Sequence, residues 1–225
     1  MNNKMFSRTR KEPDVKNKRL RNYRAVKRAF DMAGSVLLMA VSAPAVLTAA
    51  AAIKAETPGS VIFVHDRIGE NGKKIRVYKF RSMHSGAENL EASLNDDQLE
   101  AFYREYKLKD DPRVTKSGRF LRRSYFDEIP QLINILKGDM SLVGPRPVTE
   151  EELELYSDEE RTRLLSARPG LTGYWQVFGK KRATYQNGER IRMELFYADH
   201  ASVILDAIIL MFTPAAVLDS LIKRR

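Results

Sequence analysis

Two adjacent carboxylates, Asp127 and Glu128, stand near the middle of the sequence, directly before an isoleucine and a proline. Their like charges repel one another and favour a bound cation, while a following helix dipole and the nearby Arg122 and Arg123 offset part of that repulsion. Such a pair suits phosphoryl chemistry, in which one carboxylate attacks phosphorus or holds Mg²⁺ and the other orients the groups around it. Plain helix capping explains the same two residues, so the pair alone leaves both interpretations open.

Three further elements carry cations in settings that suit a phosphate ligand. Arg146 lies between two prolines after a glycine, a rigid turn that can hold a guanidinium at a fixed geometry. Arg168 opens a second turn rich in proline and glycine, and a third element carries Lys79 and Arg81. Each alone is more often a structural turn or a solvated charge. Together, around one acidic pair, the three cationic elements indicate a diphosphate site.

These residues lie in longer strings that resemble the bacterial sugar transferases, which are monotopic polyprenyl-phosphate phosphoglycosyl transferases. The matching strings are residues 64–83, 111–147 and 168–179. With the apolar segment near the N-terminus, the resemblance covers about residues 20–220. Its most specific part is the acidic pair in Asp-Glu-x-Pro-Gln, followed by Gly-Asp-Met-Ser-Leu-Val-Gly-Pro-Arg-Pro.

The resemblance implies transfer of a sugar-1-phosphate from a nucleotide diphosphate sugar, with a UDP-sugar as the family expectation, to polyprenyl (undecaprenyl) phosphate. This reaction initiates the assembly of exopolysaccharide, capsule, O-antigen or glycoprotein glycans. By the same resemblance Asp127 is the nucleophile that forms an aspartyl phosphosugar intermediate, Glu128 assists it, and Mg²⁺ is required, with Asp127 as its protein ligand. By match to the family motifs, Arg122 and Arg146 would contact phosphates and Lys79 would lie close by. The basic elements described above add Arg81 and Arg168 to the predicted substrate-binding or phosphate-binding residues.

The net charge of +10 is concentrated at the N-terminus. Residues 1–30 hold eleven Lys and Arg side chains against two acidic ones, so they form a polybasic leader to a chain that is otherwise nearly neutral. Few aromatic residues accompany the leader, and we expect no nucleic-acid partner. The absence of cysteine excludes a disulfide scaffold, and three scattered histidines argue against a zinc site.

An uncharged run of 22 residues, 32–53, follows the leader. As a straight helix it would reach about 33 Å, enough to cross a bilayer core. Pro44 predicts a break near its centre, and the Ser42 hydroxyl is placed to bond carbonyls that the proline frees. A cleaved signal peptide, a single span and a re-entrant helix–break–helix are all open. The last is favoured, and it matches the family's re-entrant helix, although Ala43 here separates the usual Ser-Pro pair.

Elsewhere the sequence predicts an α+β fold, a helix-rich cytoplasmic domain with one β-hairpin. The hairpin is predicted over 61–80 around an Asn-Gly turn, and the run beginning at residue 203 predicts an interfacial amphipathic helix, with an ordinary core helix as the alternative. Further helices are predicted at 88–106, at 129–137 and after capping boxes at Thr149 and Ser157.

Three segments follow from these assignments: a leader over 1–30, a re-entrant membrane hairpin over 31–54 and a catalytic domain over 55–225, which includes the interfacial helix 203–222. Because a nucleotide sugar is cytosolic and a polyprenyl phosphate presents its head group at the interface, the site should lie at headgroup depth. We therefore expect a monotopic protein on the cytoplasmic face of the bacterial inner membrane, in contact with inner-leaflet lipids.

The main alternative is a non-enzymatic membrane scaffold of a polysaccharide assembly complex. No motif identifies the sugar, the prenyl chain length, the downstream glycan pathway or the oligomeric state, and a homodimer is left open.

Overall fold

The computed structural model describes residues 13–106, 108, 110–179 and 182–223 of the 225-residue chain. In this part of the chain the helices are α1 (Pro13–Glu56), α2 (Leu90–Ser93), α3 (Asp96–Glu105), α4 (Lys116–Ser124), α5 (Gln131–Lys137), α6 (Glu150–Leu153), α7 (Asp158–Leu165), α8 (Glu189–His200) and α9 (Val203–Lys223). The strands are β1 (Ile62–Ile68), β2 (Lys74–Phe80), β3 (Ser141–Val143) and β4 (Gly170–Thr172). The predicted helix-rich α+β class is confirmed.

Strands β1 and β2 form the antiparallel hairpin that was predicted over 61–80, with Ile62 opposite Phe80. A single 3₁₀ turn, Glu70–Gly72, joins them. Asn71 in this turn has a left-handed backbone with φ 58°, which asparagine adopts more readily than most residues. The Asn-Gly pair therefore reverses the chain where the sequence indicated.

Strands β3 and β4 form a short parallel pair that the sequence did not predict, with Ser141 opposite Gly170 and Val143 opposite Thr172. Three residues per strand are too few to give a recognisable alternating pattern. The main hydrophobic core joins the two strand pairs to α5, α8 and α9. Its buried side chains are Ile75, Val77, Leu132, Ile135, Met140, Leu142, Val143, Tyr197 and Ile209.

The prediction of one helix over 88–106 is wrong, because the segment forms α2 and α3 with a break between them. Leu94 is extended and buried at the break. Asn95 then begins α3 with a capping box, in which its side chain accepts from the Gln98 N–H and the Gln98 side chain accepts from the Asn95 N–H. This local cap overrides the helical spacing of the apolar residues on either side. The two capping boxes predicted at Thr149 and Ser157 are confirmed.

Helix α1 runs through both the apolar segment and the part of the leader that the structure describes, while residues 1–12 of the leader lie outside the described residues. The helix continues through Pro44, where a break was expected. Thr48 donates to the Pro44 carbonyl at 3.0 Å, and the Ser42 hydroxyl donates to the Met39 carbonyl at 3.4 Å. The carbonyl that Ser42 bonds is that of Met39, whereas the one left without a donor by Pro44 is that of Ala40, so the role expected for Ser42 stays a prediction.

The folded domain holds both ends of the apolar segment but leaves its middle uncovered. Near the start, the buried Asp31 accepts two hydrogen bonds from β3. Near the end, Ile53 is buried among side chains of β2 and α4. Between them Val41 and Leu47 are each 72% exposed. This apolar stretch therefore leaves the domain surface and meets it again.

Helix α9 is the second long apolar helix. Residues Arg21–Glu56 of α1 and Val203–Ile222 of α9 are both long and apolar enough to cross a membrane, which is consistent with membrane attachment. In α9 the acidic Asp206 is buried, whereas Ile204 is 74% and Met211 is 68% exposed. A core helix would bury its apolar side chains, so that alternative is wrong, and the exposed face fits the predicted interfacial helix.

Candidate active site

Asp127 and Glu128 lie on a single 3₁₀ turn, Phe126–Glu128, between α4 and α5. Tyr125 sets up this turn by ending α4 in the left-handed conformation with φ 56°, which is uncommon for a bulky residue. The N-cap of α5 is Pro130, without a side-chain capping bond. The helix-capping interpretation of the acidic pair is therefore wrong, and another cause must account for two carboxylates at this turn.

Two cations hold Glu128. Lys79 Nζ lies 3.1 Å from Glu128 Oε1, and Arg146 Nη1 lies 3.5 Å from the same oxygen. Burial would raise the pKa of Glu128, but the charges of Lys79 and Arg146 outweigh it and hold that pKa below its ordinary value. Glu128 is thus ionised at neutral pH and joins β2 to the turn that carries Arg146.

The pKa of Asp127 is shifted in the opposite direction. Asp127 is only 9% exposed, and burial together with the charge of Glu128 raises its pKa to about 6, against the opposing charges of Lys79, Arg122 and Arg146. Within the described residues its carboxylate makes no hydrogen bond and no ion pair. A buried carboxylate without such partners is poorly stabilised as an anion, and its oxygens are available to a substrate or a cation.

Arg122 lies on α4 and faces the same turn. Its Nε donates to the Ser82 hydroxyl at 2.8 Å, which ties α4 to the end of the strand that carries Lys79. Burial lowers the pKa of Arg122, while the nearby charge of Asp127 opposes that change. The structure therefore brings Lys79, Arg122 and Arg146, from three separate elements, around the acidic pair.

The two proline-rich turns that carry Arg146 and Arg168 pack backbone against backbone. The Gly170 N–H donates to the Pro145 carbonyl at 2.8 Å. A Cβ on Gly144 would lie 2.3 Å from the Arg168 carbonyl oxygen, far inside any real contact distance. These glycines are therefore required by the close approach of the two turns, which fixes the position of Arg146.

Arg81 and Arg168 are engaged elsewhere. Arg81 donates to the carbonyl oxygens of Thr57 at 2.7 Å and Pro58 at 2.5 Å, just beyond the end of α1. Arg168 pairs with Glu70 of the hairpin turn at 3.2 Å. Within the part of the chain that is described, neither contacts the acidic pair, and the phosphate-binding roles expected for them stay predictions.

A cavity beside the acidic pair contains residues that the sequence analysis did not single out. Its lining residues are Arg67, Val77, Lys79, Glu128, Gln131, Arg146, Pro147, Gly170, Leu171 and Gln176. Three of them are cationic and one is acidic, so the lining carries a net positive charge. Sequence motifs pointed to its two proline-rich turns but gave no signal for Gln131 or Gln176 beyond their places in the strings that carry the family resemblance.

Arg67 is the third cation of that cavity. It bonds Glu152 at 2.6 Å and the Pro147 carbonyl at 3.2 Å, so it also supports the turn that carries Arg146. Burial lowers the pKa of Arg67, opposed by the charge of Glu152. One sequence signal could have identified it: Arg67 and Lys79 lie on the two strands of the same predicted hairpin, within the first string that carries the resemblance.

The expected Mg²⁺ can be compared with the donor groups present. Among the described residues there is no group of three or more acidic or histidine side chains that could hold a metal ion unaided. Mg²⁺ is commonly bound through one or two carboxylates together with substrate phosphates. The Asp127 carboxylate, which has no hydrogen bond or ion pair among the described residues, fits that mode, whereas Glu128 already pairs with Lys79 and Arg146.

Comparison with known proteins identifies the class of this site. The family model described as "Bacterial sugar transferase" matches residues 22–220. The chain belongs to the bacterial sugar transferase family. Membership makes the chain a transferase, and it confirms the resemblance that was drawn from the strings around the acidic pair.

Curated relatives within the bacterial sugar transferase family agree. The chain is 41% identical over 194 residues to the exopolysaccharide production protein ExoY of Rhizobium meliloti, covering 85% of this chain and 84% of that protein. It is 39% identical over 201 residues to the undecaprenyl-phosphate galactose phosphotransferase of Salmonella typhimurium, covering 88% of this chain but 41% of the relative. It is 36% identical over 195 residues to the undecaprenyl-phosphate glucose phosphotransferase of Komagataeibacter xylinus, covering 83% and 35% respectively. The chain thus spans most of one relative and less than half of the other two.

Proposed function

We propose that this protein transfers a sugar-1-phosphate from a nucleotide diphosphate sugar, of the UDP class, to polyprenyl phosphate. The products are a polyprenyl diphosphate sugar and a nucleoside monophosphate. The observation that carries the proposal is the buried Asp127 carboxylate, which lacks a hydrogen-bonding partner in the described residues and lies beside cations from three elements. The names of the relatives support undecaprenyl phosphate as the acceptor and exopolysaccharide assembly as the pathway.

In the first step an Asp127 oxygen attacks the phosphorus that bears the sugar. A bond from Asp127 to phosphorus forms, the bond from that phosphorus to the nucleotide's bridging oxygen breaks, and the nucleoside monophosphate leaves with the bonding electrons. The carboxylate must be ionised to attack, and its weak stabilisation in the buried site favours bond formation. Lys79, Arg122 and Arg146 supply positive charge to bind the diphosphate and to stabilise the charge that develops on its oxygens.

In the second step a phosphate oxygen of the polyprenyl phosphate attacks the same phosphorus. The bond between Asp127 and phosphorus breaks, which restores the carboxylate and releases the lipid product. Both steps use one phosphate site in turn, the pattern of a ping-pong reaction. Asp127 would be the protein ligand of Mg²⁺, which when bound would neutralise charge on the diphosphate and on the leaving phosphate.

We further propose that the protein is monotopic and lies on the cytoplasmic face of the inner membrane. The uncovered stretch of α1 would enter one leaflet, and the exposed apolar side chains of α9 would lie in the interface. Basic residues of the leader would contact anionic inner-leaflet headgroups. This arrangement would place the acidic pair where a cytosolic nucleotide sugar and a lipid phosphate can both reach it.

The test is the variant Asp127→Asn, assayed for nucleoside monophosphate release from a panel of nucleotide sugars with Mg²⁺ and polyprenyl phosphate. We expect a loss of about a thousandfold or more, because the amide is not a nucleophile. The control is Asp66→Asn, which changes an exposed aspartate on β1 and should keep wild-type activity. Full activity in the Asp127 variant would remove this residue as the nucleophile.

The scaffold alternative gives a different result in the same assay. A scaffold would release no nucleoside monophosphate with any sugar of the panel, in the wild type as in the variant. A labelled sugar-phosphate adduct on Asp127, trapped in the absence of the lipid acceptor, would support the two-step reaction directly.

A further inference from the structure

The turn Pro145–Arg146–Pro147 contains one backbone N–H group, because proline has none. That single donor, the N–H of Arg146, bonds Oε2 of Glu194 on α8 at 3.1 Å. The Arg146 N–H is therefore the one donor of this turn through which an acceptor can fix the backbone. The acceptor is a side chain of a helix that lies far away in the sequence.

Glu194 is an unusual residue to find at that place. It is 2% exposed, and among the described residues its other oxygen, Oε1, has no hydrogen-bond partner. Burial raises the pKa of Glu194 to about 7, although Arg190 and the Arg146 N–H act in the opposite direction. Burying a carboxyl costs free energy that an apolar side chain of the same length would avoid. In the structure, the hydrogen bond that Glu194 accepts from the Arg146 N–H offsets this cost.

The other end of Arg146 is held as well. Its guanidinium lies 3.5 Å from Glu128, and the carbonyl of the following Pro147 accepts from Arg67 at 3.2 Å. A path of direct contacts thus runs from α8 through the backbone and side chain of Arg146 to the acidic pair. Without the Glu194 acceptor, the Arg146 N–H would be left unpaired in a partly buried turn, and the turn could shift to find another partner.

We propose that Glu194 is a positioning residue for the transfer reaction, acting through its hydrogen bond to the Arg146 N–H to hold the Arg146 guanidinium against Glu128 and the donor's diphosphate. This inference rests on the proposed function for its kinetic test. It assigns to Glu194 no contact with substrate. What Glu194 supplies is an acceptor, and its negative charge is not required.

The test compares two variants of nearly equal length. Glu194→Gln keeps an acceptor oxygen, whereas Glu194→Met keeps the length and removes the acceptor. We expect E194M to lower kcat/KM for the nucleotide sugar about tenfold, the scale of a buried donor left unpaired, and E194Q to stay within about twofold of wild type. Glu189→Leu, at a half-buried site in the first turn of the same helix, is the control and should have wild-type activity.

A double-mutant cycle separates positioning from a general loss of structure. In the background of Arg146→Lys, which alters the group being positioned, adding E194M should lower kcat/KM by less than about twofold. A tenfold loss in that background would show that Glu194 acts independently of the Arg146 side chain, which overturns the proposal. A tenfold loss in folded E194Q overturns it too, as does wild-type activity in E194M.

A measurement that needs no turnover distinguishes this proposal from the proposed function. Amide hydrogen exchange in the peptide that contains Arg146 should accelerate in E194M and remain as in wild type in E194Q, even if no nucleotide sugar reacts. Equal exchange in both variants contradicts the inference. If E194M does not fold, Glu194→Asp replaces it: the shortened acid should show the same loss and the same faster exchange, and wild-type values in E194D overturn the proposal.

Discussion

Asp127 must lose its proton before its oxygen can attack phosphorus, so the pKa of its carboxyl should appear in the pH dependence of the first step. That pKa is raised to about 6 by burial and by the charge of Glu128. For the donor, kcat/KM in a ping-pong reaction depends only on the first half-reaction, which excludes titration of the lipid phosphate. We expect kcat/KM for the nucleotide sugar to rise with pH through about 6 and then to level off.

The variant Glu128→Gln tests whether the charge of Glu128 sets the pH range over which kcat/KM rises, the rising limb of the pH profile. Removing the neighbouring negative charge, while Lys79 and Arg146 remain, should lower the pKa of Asp127 and move the rising limb to lower pH, whatever the loss in absolute rate. A limb that stays in place, or moves to higher pH, would show that another group controls it.

The same pKa has a consequence for stability. Because the pKa of Asp127 is higher in the folded protein, about 6 against 3.8, folding is favoured less as the pH rises through this interval, and the full cost is present above pH 6. Asp127→Asn removes that cost, and the variant should be more stable than wild type at pH 7.5 by up to about 3 kcal/mol, with the difference shrinking towards pH 4. Unfolding measured at both pH values, with Asp66→Asn alongside, checks this. An unchanged or lower stability at pH 7.5 would contradict it.

At the scale of elements, a buried ionic cluster joins α1 to α9. Lys27 Nζ lies 2.8 Å from Asp206 Oδ2 and also donates to the Val143 carbonyl at 2.8 Å. The Tyr197 hydroxyl donates to Asp206 Oδ1 at 2.6 Å, and the Tyr23 hydroxyl donates to Oδ2 at 3.0 Å. Four elements of the fold, α1, β3, α8 and α9, therefore meet in this cluster, which fixes the first turn of α9 through Asp206.

Removing one member of such a cluster leaves the other charge buried without its partner. We expect Asp206→Ala to cost about 3–5 kcal/mol of unfolding free energy and to accelerate amide exchange along α9. The control is Glu100→Ala, which breaks the exposed pair with Arg104 and should cost at most about 1 kcal/mol. Lys27→Met in the Asp206 variant should restore part of the loss, since it removes the unpaired cation. Equal effects of the Asp206 and Glu100 variants would show that the cluster does not hold α9.

The same scale shows what the sequence could predict. The hairpin followed from an Asn-Gly turn between two apolar strands, and both capping boxes from residues three apart, because each of these signals is local. The break at Asn95 was also local but was masked by the apolar spacing around it. The partners of Arg81 and Arg168 could not be predicted from local signals, because the carbonyls after α1 and the carboxylate of Glu70 lie far from these arginines in the sequence. For the same reason motifs gave no sign of Glu194 beneath Arg146.

For the whole molecule, the contacts of α1 bear on its course through the membrane. Before the apolar stretch, Lys27 and Asp31 bond residues of α9 and β3. After it, Ile53 packs in the same domain, with Phe80 of β2. A span across the bilayer would place these two sets of contacts on opposite sides of the membrane. Their presence on one folded domain supports the proposed course, in which the stretch enters and leaves the membrane by the same face.

Single cysteines introduced into this cysteine-free chain test that course. Arg21→Cys before the apolar stretch and Asp97→Cys at the start of α3 should react with a membrane-impermeant thiol reagent from the same side, in inverted vesicles and not in intact spheroplasts. Leu47→Cys, in the uncovered part of α1, should stay unlabelled in both until detergent is added, because lipid covers it. Labelling of Arg21→Cys and Asp97→Cys from opposite sides would establish a span. A span would also require that the bonds of Lys27 and Asp31 to the domain are absent in the membrane. Substitutions that remove these bonds would then leave the stability of the protein unchanged.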